Sequence, residues 1–391
     1  MADRAEVVVL VGVLLAVTGT GCSTPADAEQ ASASGWRQLP DAPVGPRDDA
    51  VLVGLGDRVL VVGGWRFSCP PNADCSAPQD PLFRDGAVYD ATTDAWSSIA
   101  PPPFGLRRGE GDTAALDGTA YLVTGCADGP ACEAPPRLLS YRPDDDRWSD
   151  HGVIPGVQPV PRRVTTLDGS LLVYSTGDTL VPAADLLFDP GTAAWTELPD
   201  DPLPWSYDRY IVPVGRQLVL AGSPSPVLPP SAEPADMADR FDRKLAARFD
   251  LDRAEWVVLP DAPGQGRQMW PTDRGPLLHG YESGSPAWIL DPGTWSWTAL
   301  PAHTGGSANI HGVLDAGRAV YAGAPLRVYD SRTNAYVSVP DPPGGADVYG
   351  SSSAALGRRL VIFGGHRTPT SSSGGASGAV DDVWSWTPPP G

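Results

Sequence analysis

The sequence predicts an all-β fold: a seven-bladed β-propeller of four-stranded antiparallel blades, its ring closed by an N-terminal strand that pairs with the last blade. Three observations predict it. The first is an octet, "YDATTDAW" (Tyr89 to Trp96), that returns as "YRPDDDRW" from Tyr141, "FDPGTAAW" from Phe188, "FDLDRAEW" from Phe249, "LDPGTWSW" from Leu290 and "YDSRTNAY" from Tyr329. The second is a β-branched run ending in glycine, met seven times. The third is an imbalance at the two ends of the chain, which only a closed array resolves.

The first repeat shows the elements in order. "AVLVGLG" (50 to 56) and "RVLVVGG" (58 to 64) are apolar runs joined by a Gly-Asp turn, and "GAVYD" (86 to 90) and "WSSIA" (96 to 100) follow, linked by the polar "ATTD". Runs of this kind separated by turn residues read as four short antiparallel strands. The second strand recurs as "AYLVTG" (120), "SLLVYSTG" (170), "QLVLAG" (217), "PLLHGY" (276), "RAVYAG" (318) and "RLVIFGG" (359). Spacings of roughly 40 to 60 residues are those of propeller blades. The last third strand is "DDVWSW" (381 to 386), after which only "TPPPG" remains, so the seventh unit lacks its own fourth strand. "GWRQLPDAP" (35 to 43) matches the fourth strands "WTELPDDP" (195) and "WVVLPDAP" (256), so residues 36 to 40 supply it. Closure of this kind removes the exposed edges of an open array.

With "GG" after the second strand, "YD" in the third and Trp opening the fourth, residues 36 to 387 resemble kelch repeats of the galactose-oxidase-type propeller, most fully in repeats one and seven. Large aromatics between neighbouring sheets and glycine where side chains are forbidden give that pattern its physical sense.

The N-terminus is of another kind. "VVVLVGVLLAV" (Val7 to Val17) is too short to span a bilayer and suits a signal-peptide core over residues 1 to 21. It ends in "TGTGC", which resembles the lipobox of bacterial lipoproteins and makes Cys22 the lipidation candidate, with residues 22 to 35 as a polar tether. That reading places the chain on the extracytoplasmic face of the cell membrane, held by lipid alone; plain secretion is the alternative. "CPPNADC" (Cys69, Cys75) and "CADGPAC" (Cys126, Cys132) share one spacing and, in an exported protein, read as two local disulfides. A metal site is the other reading, but the spacing is not CxxC and neither loop holds a His. Residues 223 to 248 form an insertion in the fourth repeat with Met237, Phe241 and Leu245 at helical spacing, and residues 388 to 391 are a tail.

A formal net charge of -19 with 28 Lys plus Arg excludes nucleic acid as a partner. Yet arginine marks the start of most innermost strands, where a propeller opens its channel: Arg47, Arg108, Arg163, Arg209 and Arg267. Such arginines either tie neighbouring blades through carboxylates such as Asp48, Asp49 or Asp112, or converge on an anionic or polyhydroxylated ligand with Tyr207, Trp270, His311 and Tyr349. The kelch resemblance implies two enzymes, a copper oxidase of galactose and an epimerase of sialic acid. The five His show no ligand spacing, so no metal or other cofactor is expected. Glu110 beside the arginines is the candidate general base for the second. The leading expectation is a binding or scaffold module for a glycan, a small anion or a surface protein on the outer loops, and the alternative a carbohydrate-active enzyme at the channel mouth.

Overall fold

In the computed structural model the chain is described over residues 35–66, 81–109, 112–124, 135–156, 161–177, 183–203, 206–224, 243–264, 266–280, 286–301, 306–315, 319–324, 326–342, 348–367 and 378–388. The octet is the junction of a third and a fourth strand. Tyr89 faces Trp96 directly across that hairpin with ring centroids 5.3 Å apart. The same pair forms between Tyr141 and Trp148 at 4.8 Å, Phe188 and Trp195 at 4.7 Å, Phe249 and Trp256 at 5.1 Å, and Tyr329 and Tyr336 at 5.2 Å. Aromatic pairs opposite one another are a main stabiliser of antiparallel strands.

The turn inside the octet explains its other letters. The carboxylates of Asp90, Asp189, Asp250, Asp291 and Asp330 each accept the backbone N–H two residues on, a side-chain turn that short acceptors favour. The sixth residue is left-handed every time, from φ 45° at Asp146 to φ 54° at Ala193 and Trp295. Asp and Asn tolerate that backbone, and at Asp94, Asp146 and Asn334 the side chain also accepts the hydroxyl of the octet's tyrosine.

Seven four-stranded sheets result. Sheet one is Val51–Leu55, Arg58–Val62, Gly86–Asp90 and Ala95–Ser98, and sheet two Thr113–Leu116, Thr119–Thr124, Arg137–Arg142 and Arg147–Val153. Sheet three is Arg162–Leu167, Ser170–Ser175, Leu186–Asp189 and Ala194–Glu197, and sheet four Ser206–Val214, Gln217–Pro224, Arg243–Asp250 and Glu255–Pro263. Sheet five is Gly266–Trp270, Leu277–Gly280, Trp288–Asp291 and Ser296–Ala299, and sheet six Gly306–Val313, Ala319–Ala324, Arg327–Asp330 and Ala335–Ser338. Sheet seven takes Ser352–Leu356, Arg359–Phe363 and Val383–Trp386 from the end of the chain, with Trp36–Gln38 as its outermost strand. Trp36 lies opposite Trp386, the pairing the strand count anticipates.

The core lies between the sheets. Each seam holds its own apolar cluster: Tyr89 with Val361 and Phe363 between sheets seven and one, Tyr141 with Leu60 between one and two, and Phe188 with Leu138 between two and three. Phe249 joins Leu172 between three and four, Leu290 joins Tyr210 between four and five, Tyr329 joins Leu277 between five and six, and Trp36 joins Val328 between six and seven. Tryptophans add a polar strap from one sheet to the last. The indole N–H of Trp96 donates to the Pro40 carbonyl at 2.8 Å, Trp148 to Ala100 at 2.8 Å, Trp256 to Pro199 at 2.8 Å, Trp297 to Pro260 at 3.0 Å, and Trp36 to Pro340 at 2.7 Å. Backbones approach as closely as side chains allow, since a Cβ on Gly54 of sheet one would lie 2.0 Å from the Ala355 carbonyl oxygen of sheet seven.

Antiparallel order gives the ring two unlike rims. On one, first strands turn into second strands and third into fourth through the short turns already described. On the other, second strands end, third strands begin, and each fourth strand leads to the next sheet. On this second rim lie the strand ends that the long connectors, residues 63–85, 125–136, 225–242 and 364–382, join.

One expectation is overturned here. Leu245 belongs to no helix: Arg243–Asp250 is the third strand of sheet four, paired with Gln217–Pro224 and Glu255–Pro263. Ladder hydrogen bonds on both sides prevail over the local spacing of apolar residues, while Met237 and Phe241 lie outside the described residues.

Candidate functional site

The inner-strand arginines stand on the loop-bearing rim, and most of them are spent on the fold. Arg47 is 2% exposed. Its Nη1 and Nη2 reach the two carboxylate oxygens of Asp85 at 2.8 and 2.9 Å, Nη1 also meets the Gly63 carbonyl, Nε meets that of Gly45, and Phe83 lies under the guanidinium. Arg209 crosses from sheet four to sheet three, where Asp185 takes it in a fork at 3.2 and 2.9 Å and the Ser175 carbonyl at 3.0 Å. Asp201 holds it from the connector at 2.7 Å. Arg163 lies 3.9 Å over the Tyr210 ring and donates to the Arg209 carbonyl. Arg108 ties sheet two to the carboxylate of Asp49 and the carbonyl of Ser351. Of the two roles weighed for these arginines, tying blades together accounts for Arg163 and Arg209, while Arg47 is held within its own sheet; a buried guanidinium with its donors engaged has few to offer a ligand.

Other candidates fall elsewhere. Trp270 closes the first strand of sheet five beside the short-turn rim, packed on the cluster around Leu277 and Tyr329, so it is a seam residue and not a lining of the mouth. Tyr207 is half-buried beside a register shift in the first strand of sheet four. Arg267, His311 and Tyr349 are placed by their strands on the loop-bearing rim or near it, with side chains outside the described residues. Glu110, Cys22, Cys69, Cys75, Cys126 and Cys132 lie outside them altogether.

The structure brings together residues that sequence reasoning did not pair. Asp48, 1% exposed at the start of sheet one, meets His366 of a small three-stranded sheet, Val348–Tyr349, His366–Arg367 and Gly378–Ala379, whose strands are interleaved in the chain with those of sheet seven, with Oδ2 3.0 Å from Nδ1. Burial pushes the Asp48 carboxyl up, against the pull of His366. Its neighbour Asp49 is left-handed at φ 48° and accepts from the Trp65 indole at 3.0 Å and from Arg108 at 3.1 Å. A buried carboxylate on Nδ1 fixes the imidazole and turns Nε2 away from it, the arrangement used to pass protons. A step away, Asp112 accepts the Gly109 N–H at 2.6 Å, and burial raises its carboxyl to about 7. Among the described residues no group of three or more His, Cys, Asp or Glu is placed to hold a metal ion.

A pH dependence follows from Asp112. A carboxyl near 7 in the fold and about 3.9 when unfolded binds its proton more tightly in the native state. The native protein is therefore favoured below pH 4 and loses that advantage as pH climbs through 7. Asp112→Asn keeps an acceptor for Gly109 and carries no charge. The variant is expected to melt above the wild type at pH 8, by an amount on the order of a few kcal/mol, and to lose that lead at pH 4. Melting curves across that range check it; equal slopes for both proteins would refute the assignment.

No family model matches the chain. Kelch-like protein 35 of Mus musculus is 25% identical over 260 residues, 56% of this chain and 42% of its own length. Kelch-like protein terF of Aspergillus terreus is 23% identical over 350 residues, 81% of this chain and 71% of its own. The fold is a kelch-type propeller. The chain also matches an N-acetylneuraminate epimerase of Pasteurella multocida at 23% identity over 214 residues, 44% of this chain and 53% of that protein. It thus spans less than half of the mouse relative and about half of the epimerase. Among solved structures, a fungal alcohol oxidase in complex with copper superposes with a TM-score of 0.57 over 90% of this kelch-type propeller and 76% of the oxidase, at 14% identity. That likeness is one of fold.

Proposed function

We propose that this kelch-type propeller is an exported, lipid-anchored binding module that takes a small polar ligand, a glycan or a small anion, at its loop-bearing rim. The observation that carries the reading is the asymmetry of the rims. Short turns close one, while the other holds the strand ends that the long connectors join and the buried polar groups around Asp48 and Arg209. Ligand sites set a few precisely placed polar groups among apolar and aromatic side chains. The Asp48–His366 pair supports a second reading, a carbohydrate-active enzyme that moves a proton at the sugar.

Titration calorimetry of the purified chain against neutral and acidic sugars tests the module: saturable binding of one of them is expected, and heats of dilution alone across the set would sink it. Isotope exchange at the anomeric carbon separates the enzyme, because a binder leaves that rate unchanged and His366→Gln would abolish a catalysed one. The address is tested by Cys22→Ser, which is expected to release the protein from the membrane fraction and to end its labelling by fatty acid.

A further inference from the structure

One inner-strand arginine stands apart. Arg162 opens the first strand of sheet three and is 4% exposed, yet it uses a single nitrogen: Nη1 donates to the Ala184 carbonyl. Its Nε and Nη2 are buried and have no hydrogen-bond partner among the described residues. Those two nitrogens form the side-on edge of a guanidinium, the edge that matches the two oxygens of a carboxylate. The protein itself shows the match. In Arg332 that edge takes both oxygens of Asp330, Nε at 2.9 Å and Nη2 at 2.5 Å.

The missing partner can be traced. An aspartate stands immediately before the third strand in sheets one and three, Asp85 and Asp185. In sheet one Asp85 serves the arginine of its own sheet, Arg47. In sheet three both oxygens of Asp185 are drawn across the seam to Arg209, which also holds Asp201. Two carboxylates thus converge on one guanidinium, and its neighbour has no carboxylate hydrogen bond. Burial weakens the hold of Arg162 on its proton; the charge of Asp185 opposes that loss and the charge of Arg209 adds to it. Next to that edge lies the exposed Gly156 at φ +99°, where an added Cβ would sit 3.5 Å from Nη2, so residue 156 itself places no side chain over that nitrogen.

We propose that the Nε–Nη2 edge of Arg162 is the anchor for a carboxylate group of a small acidic ligand, such as an acidic sugar, bound on the loop-bearing rim at the start of sheet three. The inference rests on the binding-module reading and names the ligand class and the residue that selects it. Arg47, Arg163 and Arg209 hold the walls, and Arg162 supplies the selective contact.

The test is melting and titration calorimetry of the full chain with acetate, glucuronate and N-acetylneuraminate, at one ionic strength set with sodium chloride, for wild type, Arg162→Met and Arg162→Lys. An acidic sugar is expected to raise the wild-type melting temperature above the chloride control. Arg162→Met should lose that rise and bind at least tenfold more weakly. Arg162→Lys, which keeps the charge without the fork, should lose it as well, and it carries the test if the Met variant does not fold. An equal rise with chloride, or binding that survives in both variants, would overturn the assignment. Binding of an acidic peptide but of no small carboxylate would also overturn it. A neutral sugar that binds all three proteins alike would leave the binding-module reading standing and remove Arg162 from it; silence from every ligand would end both.

Discussion

Arg209→Met is expected to cost about 3–5 kcal/mol, because it leaves two carboxylates, Asp185 and Asp201, facing a seam without their cation. The side chain is 7% exposed, and its partners are 6% and 19% exposed, so water cannot replace it. Burial already pushes the Asp201 carboxyl up despite the arginine beside it. Without Arg209 the Asp201 carboxyl should retain its proton to still higher pH, and the variant should recover part of its loss in acid. Urea unfolding at pH 7 and pH 5 measures both effects. A cost under about 1 kcal/mol would place this pair with exposed ion pairs, whose worth is that small. Arg162→Met is the counterpart: it removes a buried cation that makes no hydrogen bond to a carboxylate and is expected to leave the melting temperature level or higher.

Trp36→Ala is expected to cost about 3–5 kcal/mol, the range for emptying a large buried aromatic site. Trp36 is 2% exposed, packs with Leu314, Val328, Val339, Leu360 and Trp386, and straps the Pro340 carbonyl. Its strand is only three residues long, Trp36–Gln38, so this side chain carries much of the attachment of the first strand to the last sheet. Limited proteolysis gives a second readout. Cleavage in the variant should begin near residue 36, whereas Trp96→Ala, at a seam within continuous chain, should show no such preference. Equal losses and identical fragments from the two variants would mean that the joint between the ends is no weaker than the rest.

Much of the architecture was legible in the sequence because a repeat states its rule many times. The Tyr–Trp spacing, the Asp of the turn and the glycine after the second strand are local demands, met within eight or ten residues. Strand count alone located the partner of Trp36. The polar groups of the rim were less legible, for a reason of distance. Asp48 and His366 are 318 positions apart, and only the closing of the ring places them side by side. His366 had one signal, its position directly after the intact "VIFGG". The exchange of Asp185 between arginines left none, since "PRRVT" and "YDRY" look alike as sources of charge. Leu245 misled because it sits at helical spacing from Met237 and Phe241, while the strand that holds it is buried on both faces and shows no alternation.

The two ends of the ring meet at one place: Thr387 donates its N–H to the Gly35 carbonyl at 3.2 Å. The fourth strand of sheet seven begins, and its third strand ends, on the rim of the short turns. The N-terminal segment therefore departs from the side opposite the long connectors. Whatever is joined to the chain ahead of Gly35 is therefore joined at the rim of the short turns, and the loop-bearing rim is the one left clear of that junction.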